Sequence, residues 1–302
     1  MVFLHGVKSS SATYTELAQQ AINNYSSVTG QPWQAVLVDL PGHGASWPPE
    51  DPNTGVSPNI KDMVETVLAT LVTGHKEGKW GRVDVLVGHS TGGLVVLGLA
   101  ERLGQAAAGG KNKELAALGM PKQVWVLDAR AFLINPDIPA VTGFIAFAGA
   151  LQSVPQPYES VDDLVKAVLA LQKASGMGEA EAPWLRPVCF STMKPNPSGP
   201  GYVRQYDAET ITQMMRSFCI TDFTAVISHP PAGCTIHSVV GRDSTLWPED
   251  ARGPEELALL QHQEESGAGV RLHKIDGDHF FGITHKEELL ALLATGAEEL
   301  KG

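Results

Sequence analysis

The stretch Gly88-His89-Ser90-Thr91-Gly92 constrains this chain more than any other. It follows Val83-Asp84-Val85-Leu86-Val87, an apolar, β-branched run with one acid, which reads as a buried strand. It precedes Gly93-Leu94-Val95-Val96-Leu97-Gly98-Leu99-Ala100, which reads as a helix packed against that strand. Between the two lies G-x-S-x-G, the spacing a strand-turn-helix nucleophile needs. The serine sits on a sharp, strained turn that holds its hydroxyl clear of the sheet, and small residues two before and two after let strand and helix approach closely. Here the flanks of the motif are the ones that this geometry requires.

The rest of the chain alternates in the same way. Met1 to Leu4 is an apolar strand running into His5-Gly6 and the polar loop Val7-Lys8-Ser9-Ser10-Ser11, with a helix expected from about Thr13 to Tyr25. A strand ending in His-Gly before a loop and helix is a common setting for backbone N–H groups that bind an oxyanion. A chain rarely begins inside a core strand, so an upstream segment, and any targeting sequence with it, is expected to have been removed. Ala35 to Leu40 is the next strand, with Pro41-Gly42-His43-Gly44 forcing a reversal at its end. A helix is expected from about Pro58 to Thr73, with Ser57 as cap and Ile60, Met63, Val64, Val67, Leu68 and Leu71 spaced by threes and fours. Gly104 to Gly119 reads as a helix end and a loop, and Val124-Trp125-Val126-Leu127-Asp128 as a buried strand ending on an acid. This order of strands and helices predicts an α/β fold with a parallel sheet and crossover helices.

Residues 129–233 break the pattern: they hold prolines, apolar patches and two helical stretches, Val161–Ala174 and Ala208–Phe218, without clear strand alternation. They are expected to form an inserted helical cap over the strand ends, with the core made of 1–128 and 234–302. The parallel pattern resumes with the strand Thr235 to Gly241, a helix around Pro254–Glu265, the strand Val270 to Ile275, and a final helix from His285 to about Leu300.

Composition narrows the partners. The net charge of −11 argues against nucleic-acid binding, which needs a basic face. No apolar run reaches the ~18–20 residues of a membrane span; the nearest, Ile138 to Val154, is broken by Pro139. No secretion signal is visible, so a soluble, intracellular or organellar protein is expected. Cys189, Cys219 and Cys234 are odd in number and widely spaced, and read as buried free thiols. No HExxH and no Walker-type GxxxxGKS occurs, so neither metal nor cofactor is expected.

A serine hydroxyl needs a base within hydrogen-bond reach, itself oriented by a third group. Of ten histidines, His279 is the best base: it lies on the Gly277-Asp278-His279-Phe280 turn after the last strand, at the sheet edge where ligands sit in open α/β sheets. His5 and His43 share that edge and are expected to line the pocket or hold loops. His89 is expected to pack or bond locally, and His237, inside a strand, to be a satisfied core histidine. The acid is Asp128 or Asp243; both lie between Ser90 and His279, so chain order does not choose. Acids at strand ends also commonly just satisfy loop N–H groups.

His5-Gly6, Asp39-Leu40-Pro41-Gly42-His43-Gly44-Ala45-Ser46, Gly88-His89-Ser90-Thr91-Gly92-Gly93 and Gly277-Asp278-His279-Phe280 together resemble the α/β-hydrolase fold superfamily, in the order that family shows. The resemblance covers the chain outside 129–233. It implies a mostly parallel sheet with flanking helices, Ser90 as nucleophile, His279 as base, and an oxyanion hole made by the backbone N–H groups of Val7 and Thr91. Many members carry the acid three residues after the glycine ending the strand that follows the cap, a position held here by Ser244. A subgroup of small esterases has serine there and draws its acid from the strand after the nucleophile helix, which places Asp128 ahead of Asp243. The sequence departs from the family in lacking the first two strands of the usual eight and in an insertion around Gly104–Lys122. The implied activity is a serine hydrolase on a carboxylic ester with an apolar part. Acyl transfer or C–C cleavage on the same triad, and a non-catalytic binding module, are the rivals.

Overall fold

The computed structural model describes residues 1–46, 59–110, 112–134, 136–137, 139–152, 154–174, 182–205, 208–244 and 254–301. Strands β1 (Val2–Leu4), β2 (Val36–Val38), β3 (Val85–His89) and β4 (Gln123–Leu127) alternate with helices α1 (Thr15–Thr29), α2 (Ile60–Lys76), α3 (Thr91–Ala107) and the short α4 (Lys113–Leu118). Helices α5 (Pro139–Gln152), α6 (Val161–Ala174) and α7 (Leu185–Ser191), the strands β5 (Met193–Pro195) and β6 (Tyr202–Arg204), and helices α8 (Ala208–Ile220) and α9 (Thr224–Ser228) follow. The chain closes with β7 (Thr235–Gly241), α10 (Pro254–Glu265), β8 (Val270–Ile275), α11 (Phe281–Thr284) and α12 (Lys286–Glu299).

Six strands form one parallel sheet in the order β2-β1-β3-β4-β7-β8. Period-two side-chain alternation decides which core each residue joins. Val2, Leu4, Leu86, Val124 and Val126 face α2, α3 and α4, whereas Phe3, Val85, Val87, Trp125 and Leu127 face α1 and α12. Both faces are thus buried, which is why these strands read as continuous apolar runs. The chain steps from β1 outward to β2 and then returns to the other side of β1 for β3. That reversal opens a crevice at the carboxyl ends of β1 and β3, where open α/β sheets bind ligands.

Several sequence-based boundaries change. The first helix starts with a 3₁₀ turn at Ser11–Tyr14 and runs on to Thr29. The cap of α2 is Asn59, whose side chain accepts from the Asp62 N–H; Ser57 and Pro58 lie outside the described residues. The stretch read as a loop between Gly104 and Gly119 contains α4, capped by Asn112. The region expected to lack strands contains the antiparallel β5-β6 ribbon, with Met193 opposite Arg204. Its three-residue strands, one of them ending on Pro195, are too short to show alternation. The three cysteines are free and buried. Among the described residues, no helix is long and apolar enough to cross a membrane.

Several histidines are buried and neutral. His237 lies flat on Trp125, ring centroids 3.8 Å apart, and its Nδ1 is 3.1 Å from His273 Nε2. Burial, with the nearby His273 and Arg271, pushes the His237 pKa down to about 3, and burial also lowers His273. At the opposite side of the sheet, burial and the neighbouring His5 push His43 down to about 3. A histidine whose folded pKa lies below its unfolded value near 6.5 stabilises fully above that value and loses its contribution as pH falls. His43 and His237 each remove about 1.4 kcal/mol per pH unit below ~6.5. Urea unfolding at pH 7 and pH 5.5 is expected to show a loss of about 2–3 kcal/mol from these two. An unchanged midpoint would mean that the fold takes up those protons freely.

Candidate active site

Ser90 occupies a backbone conformation (φ 53°, ψ −120°) that only the surrounding packing can hold. Three glycines make that packing. A Cβ on Gly88 would lie 2.2 Å from the Gly92 carbonyl oxygen, and one on Gly92 would lie 2.6 Å from the His5 carbonyl oxygen. One on Gly6 would lie 2.9 Å from Ser90 Cβ. The end of β1, the Ser90 turn and the start of α3 are therefore pressed backbone to backbone. The Ser90 N–H donates to the Leu127 carbonyl (2.9 Å), which ties the turn to the end of β4.

The acid at that strand end is also strained: Asp128 has φ 46°. Its carboxylate is buried (1% exposed) and accepts three hydrogen bonds. Oδ1 accepts from the Gly241 N–H (3.0 Å), and Oδ2 accepts from Ser244 Oγ (2.5 Å) and from His279 Nδ1 (2.6 Å). Three donors satisfy an anion that burial would otherwise penalise. The structure thus joins His279 to Asp128 and not to Asp243, which is exposed and bonds through its backbone N–H to Gly277.

With Nδ1 donating to Asp128, Nε2 is the ring nitrogen left to accept a proton. Among the described residues no hydrogen bond joins Ser90 Oγ to that nitrogen, a pairing that commonly closes only with substrate bound. His89, read from sequence as a local contact, reaches further than that. Its Nε2 donates to the His279 carbonyl (2.8 Å), and its ring lies 4.5 Å from the His279 ring. Burial, with the neighbouring His279 and His5, holds His89 far below its ordinary pKa, so it stays a neutral donor. Its partner is 190 residues away, and no local pattern signals such a bond.

His5 and His43 hold loops. His5 Nδ1 donates to the Gly6 carbonyl (2.7 Å) and its Nε2 accepts from the Leu40 N–H (2.9 Å). His43 Nε2 accepts from the Lys8 N–H (3.2 Å). Together they pin the turn Gly6-Val7-Lys8 beside Ser90. Among the described residues, the backbone N–H groups of Val7 and Thr91 have no acceptor, and Thr91 opens the 17-residue α3. Two free N–H groups and a helix N-terminus beside a serine suit a developing negative charge. The Val7 side chain packs with Ile145, Ile211 and Met215 from α5 and α8. Trp184 stacks on Phe280, next to His279, at 4.2 Å. No cluster of three or more metal-ligating groups occurs among the described residues.

The profile of the Alpha/beta hydrolase family matches residues 1–292. No curated protein sequence matches the chain. Among solved structures, E-2-(acetamidomethylene)succinate hydrolase is similar at a TM-score of 0.60 and 20% identity, covering 98% of this chain and 90% of that one. An esterase from a marine microorganism aligns at 0.64 and 16% identity (96% and 92% covered). The enol-lactonase of Burkholderia xenovorans LB400 aligns at 0.57 and 15% identity (97% and 89% covered). At these identities the likeness is one of fold.

A methyl group at Gly88 or Gly92 meets backbone rather than a movable side chain. Gly88→Ala and Gly92→Ala are therefore each expected to destabilise by about 1–3 kcal/mol in denaturant titrations. Wild-type midpoints in both would show that the turn is looser than described.

Proposed function

Since the chain belongs to the alpha/beta hydrolase family, we propose that it is a serine hydrolase cleaving carboxylic esters through an acyl-enzyme. The observation that carries this reading is the 2.6 Å bond from His279 Nδ1 to a buried, triply bonded Asp128, which leaves Nε2 as the ring nitrogen available to a substrate.

In the first half-reaction His279 Nε2 takes the Ser90 proton as Oγ attacks the ester carbonyl carbon. The carbonyl electron pair moves onto oxygen, where the N–H groups of Val7 and Thr91 hold it. Loss of one such donor typically costs about 10²–10³ in rate. Collapse of the intermediate breaks the bond to the alcohol oxygen, which leaves with the proton from His279. Water, deprotonated by the same nitrogen, then releases the acid and restores Ser90. Asp128 keeps the imidazole in the Nδ1–H tautomer and offsets the imidazolium charge, while Ser244 and Gly241 hold the Asp128 carboxylate in place.

Residues 129–233 serve in this reading as a lid over the core formed by 1–128 and 234–302. Val7, Ile145, Ile211 and Met215 make the site suited to a substrate with an apolar part.

A p-nitrophenyl ester is expected to give a burst of nitrophenol that Ser90→Ala abolishes, with loss of fluorophosphonate labelling. Undiminished turnover in Ser90→Ala overturns the reading. Asp128→Asn leaves the wrong tautomer and is expected to lower kcat by about 10²–10⁴, whereas exposed Asp243→Asn should stay within about twofold. His89→Phe keeps an aromatic ring but removes the donor to the His279 carbonyl. It is expected to lower kcat by about fivefold with little change in KM, as a neutral hydrogen bond of ~1 kcal/mol allows.

A further inference from the structure

One cation in this region has no part in that mechanism. Lys8 directly follows Val7, on the turn whose Gly6 rests against Ser90. Its backbone is left-handed (φ 55°), a conformation a long L side chain adopts only when its surroundings impose it. The Lys8 N–H bond to the neutral His43 ring is part of what imposes it. The partly buried side chain reaches the helices that follow β4. Its Nζ lies 4.4 Å from the centre of the Phe147 ring on α5, with Cys189 of α7 also close enough to influence its charge.

We propose that Lys8 binds a carboxylate carried by the substrate, so that the preferred ester is an anionic one. The inference rests on the serine-hydrolase reading for the bond cleaved, but the carboxylate site stands on its own residues. Beside Lys8, Val7 packs with Ile145, Ile211 and Met215, so the fitting ligand has a short apolar chain with a charged end. Burial pushes the lysine down to about 7, and a carboxylate placed beside it favours its ionised form. Cation–π contact with Phe147 orients the ammonium without neutralising it. The net charge of −11 gives no long-range attraction for an anion, so selectivity for one has to be local.

Two matched pairs of esters test this. Mono-p-nitrophenyl glutarate against p-nitrophenyl valerate places the carboxylate on the acyl part, and 4-carboxybenzyl butyrate against 4-methylbenzyl butyrate places it on the alcohol. The anionic member of one pair is expected to be favoured by about 10–100-fold in kcat/KM, the range of a charged hydrogen bond, with the difference residing in KM. Lys8→Met should collapse that ratio toward one, Lys8→Arg should keep most of it, and Lys8→Glu should invert it. A ratio near one in both pairs, or a preference that survives Lys8→Met, overturns the proposal. Calorimetric titration of Ser90→Ala protein with monomethyl glutarate and with methyl valerate reads the same site without turnover. Tighter binding of the anion, lost on adding Lys8→Met, supports it, and equal affinities refute it. Should neither ester pair be hydrolysed while that binding preference holds, the hydrolase reading falls and the Lys8 site stands.

Discussion

A single buried carboxylate ties together three strand ends that share little sequence between them. Asp128 closes β4, takes the Gly241 N–H and the Ser244 hydroxyl from the segment after β7, and takes His279 from the turn after β8. Its own N–H donates to the Val239 carbonyl, extending the β4–β7 pairing by one residue. Removing the charge would take this acceptor from the Gly241 amide and the His279 imidazole, each at a cost of about 1–3 kcal/mol. Removing a donor would leave the anion underpaired. The carboxylate therefore fixes where His279 can sit, whatever chemistry His279 performs.

The polar surroundings of the site are almost all neutral. His5, His43 and His89 are held below their ordinary pKa by burial, and each bonds a backbone group through a ring nitrogen. They act as rigid spacers between β1, the turn after β2, and the turn bearing His279. Backbone strain is confined to the same neighbourhood: among the described residues, the non-glycine positions with positive φ are Lys8, Ser90 and Asp128. All three directly follow, or lie close to, the carboxyl end of a central strand. The strands β1, β3 and β4 below them are regular and fully buried, and that regularity is what can hold such conformations.

Much of this was legible in the sequence, for reasons that differ between residues. Gly88 and Gly92 announce the turn because a side chain at either would meet backbone, and Ser90 stands between them. His279 is found by its place after the last strand. Asp128 and Asp243 could not be separated by chain order, since both satisfy it; only the serine at 244 hinted at the displacement, and the hydrogen bonds resolve which carboxylate meets His279. The tie from His89 to the His279 carbonyl left no local trace, because it joins residues 190 apart. The β5–β6 ribbon and α4 were missed because three-residue strands and a six-residue helix carry too few side chains to show a period. The Asn59 cap was displaced by two residues from the expected one, within the usual uncertainty of helix starts.

Drawing the carboxylate from β4 also changes the order in which the chain can assemble its strained pair. Ser90 and Asp128 belong to one uninterrupted β3-α3-α4-β4 unit, joined by the bond from the Ser90 N–H to the Leu127 carbonyl. Their pairing requires closing a short stretch of chain, a modest entropic cost. An acid on β7 would instead wait for the whole of 129–233 to find its place. Contacts close in sequence form sooner than distant ones. The strained pair Ser90 and Asp128 is thereby entrusted to a local unit, which Gly241, Ser244 and His279 join from further along the chain.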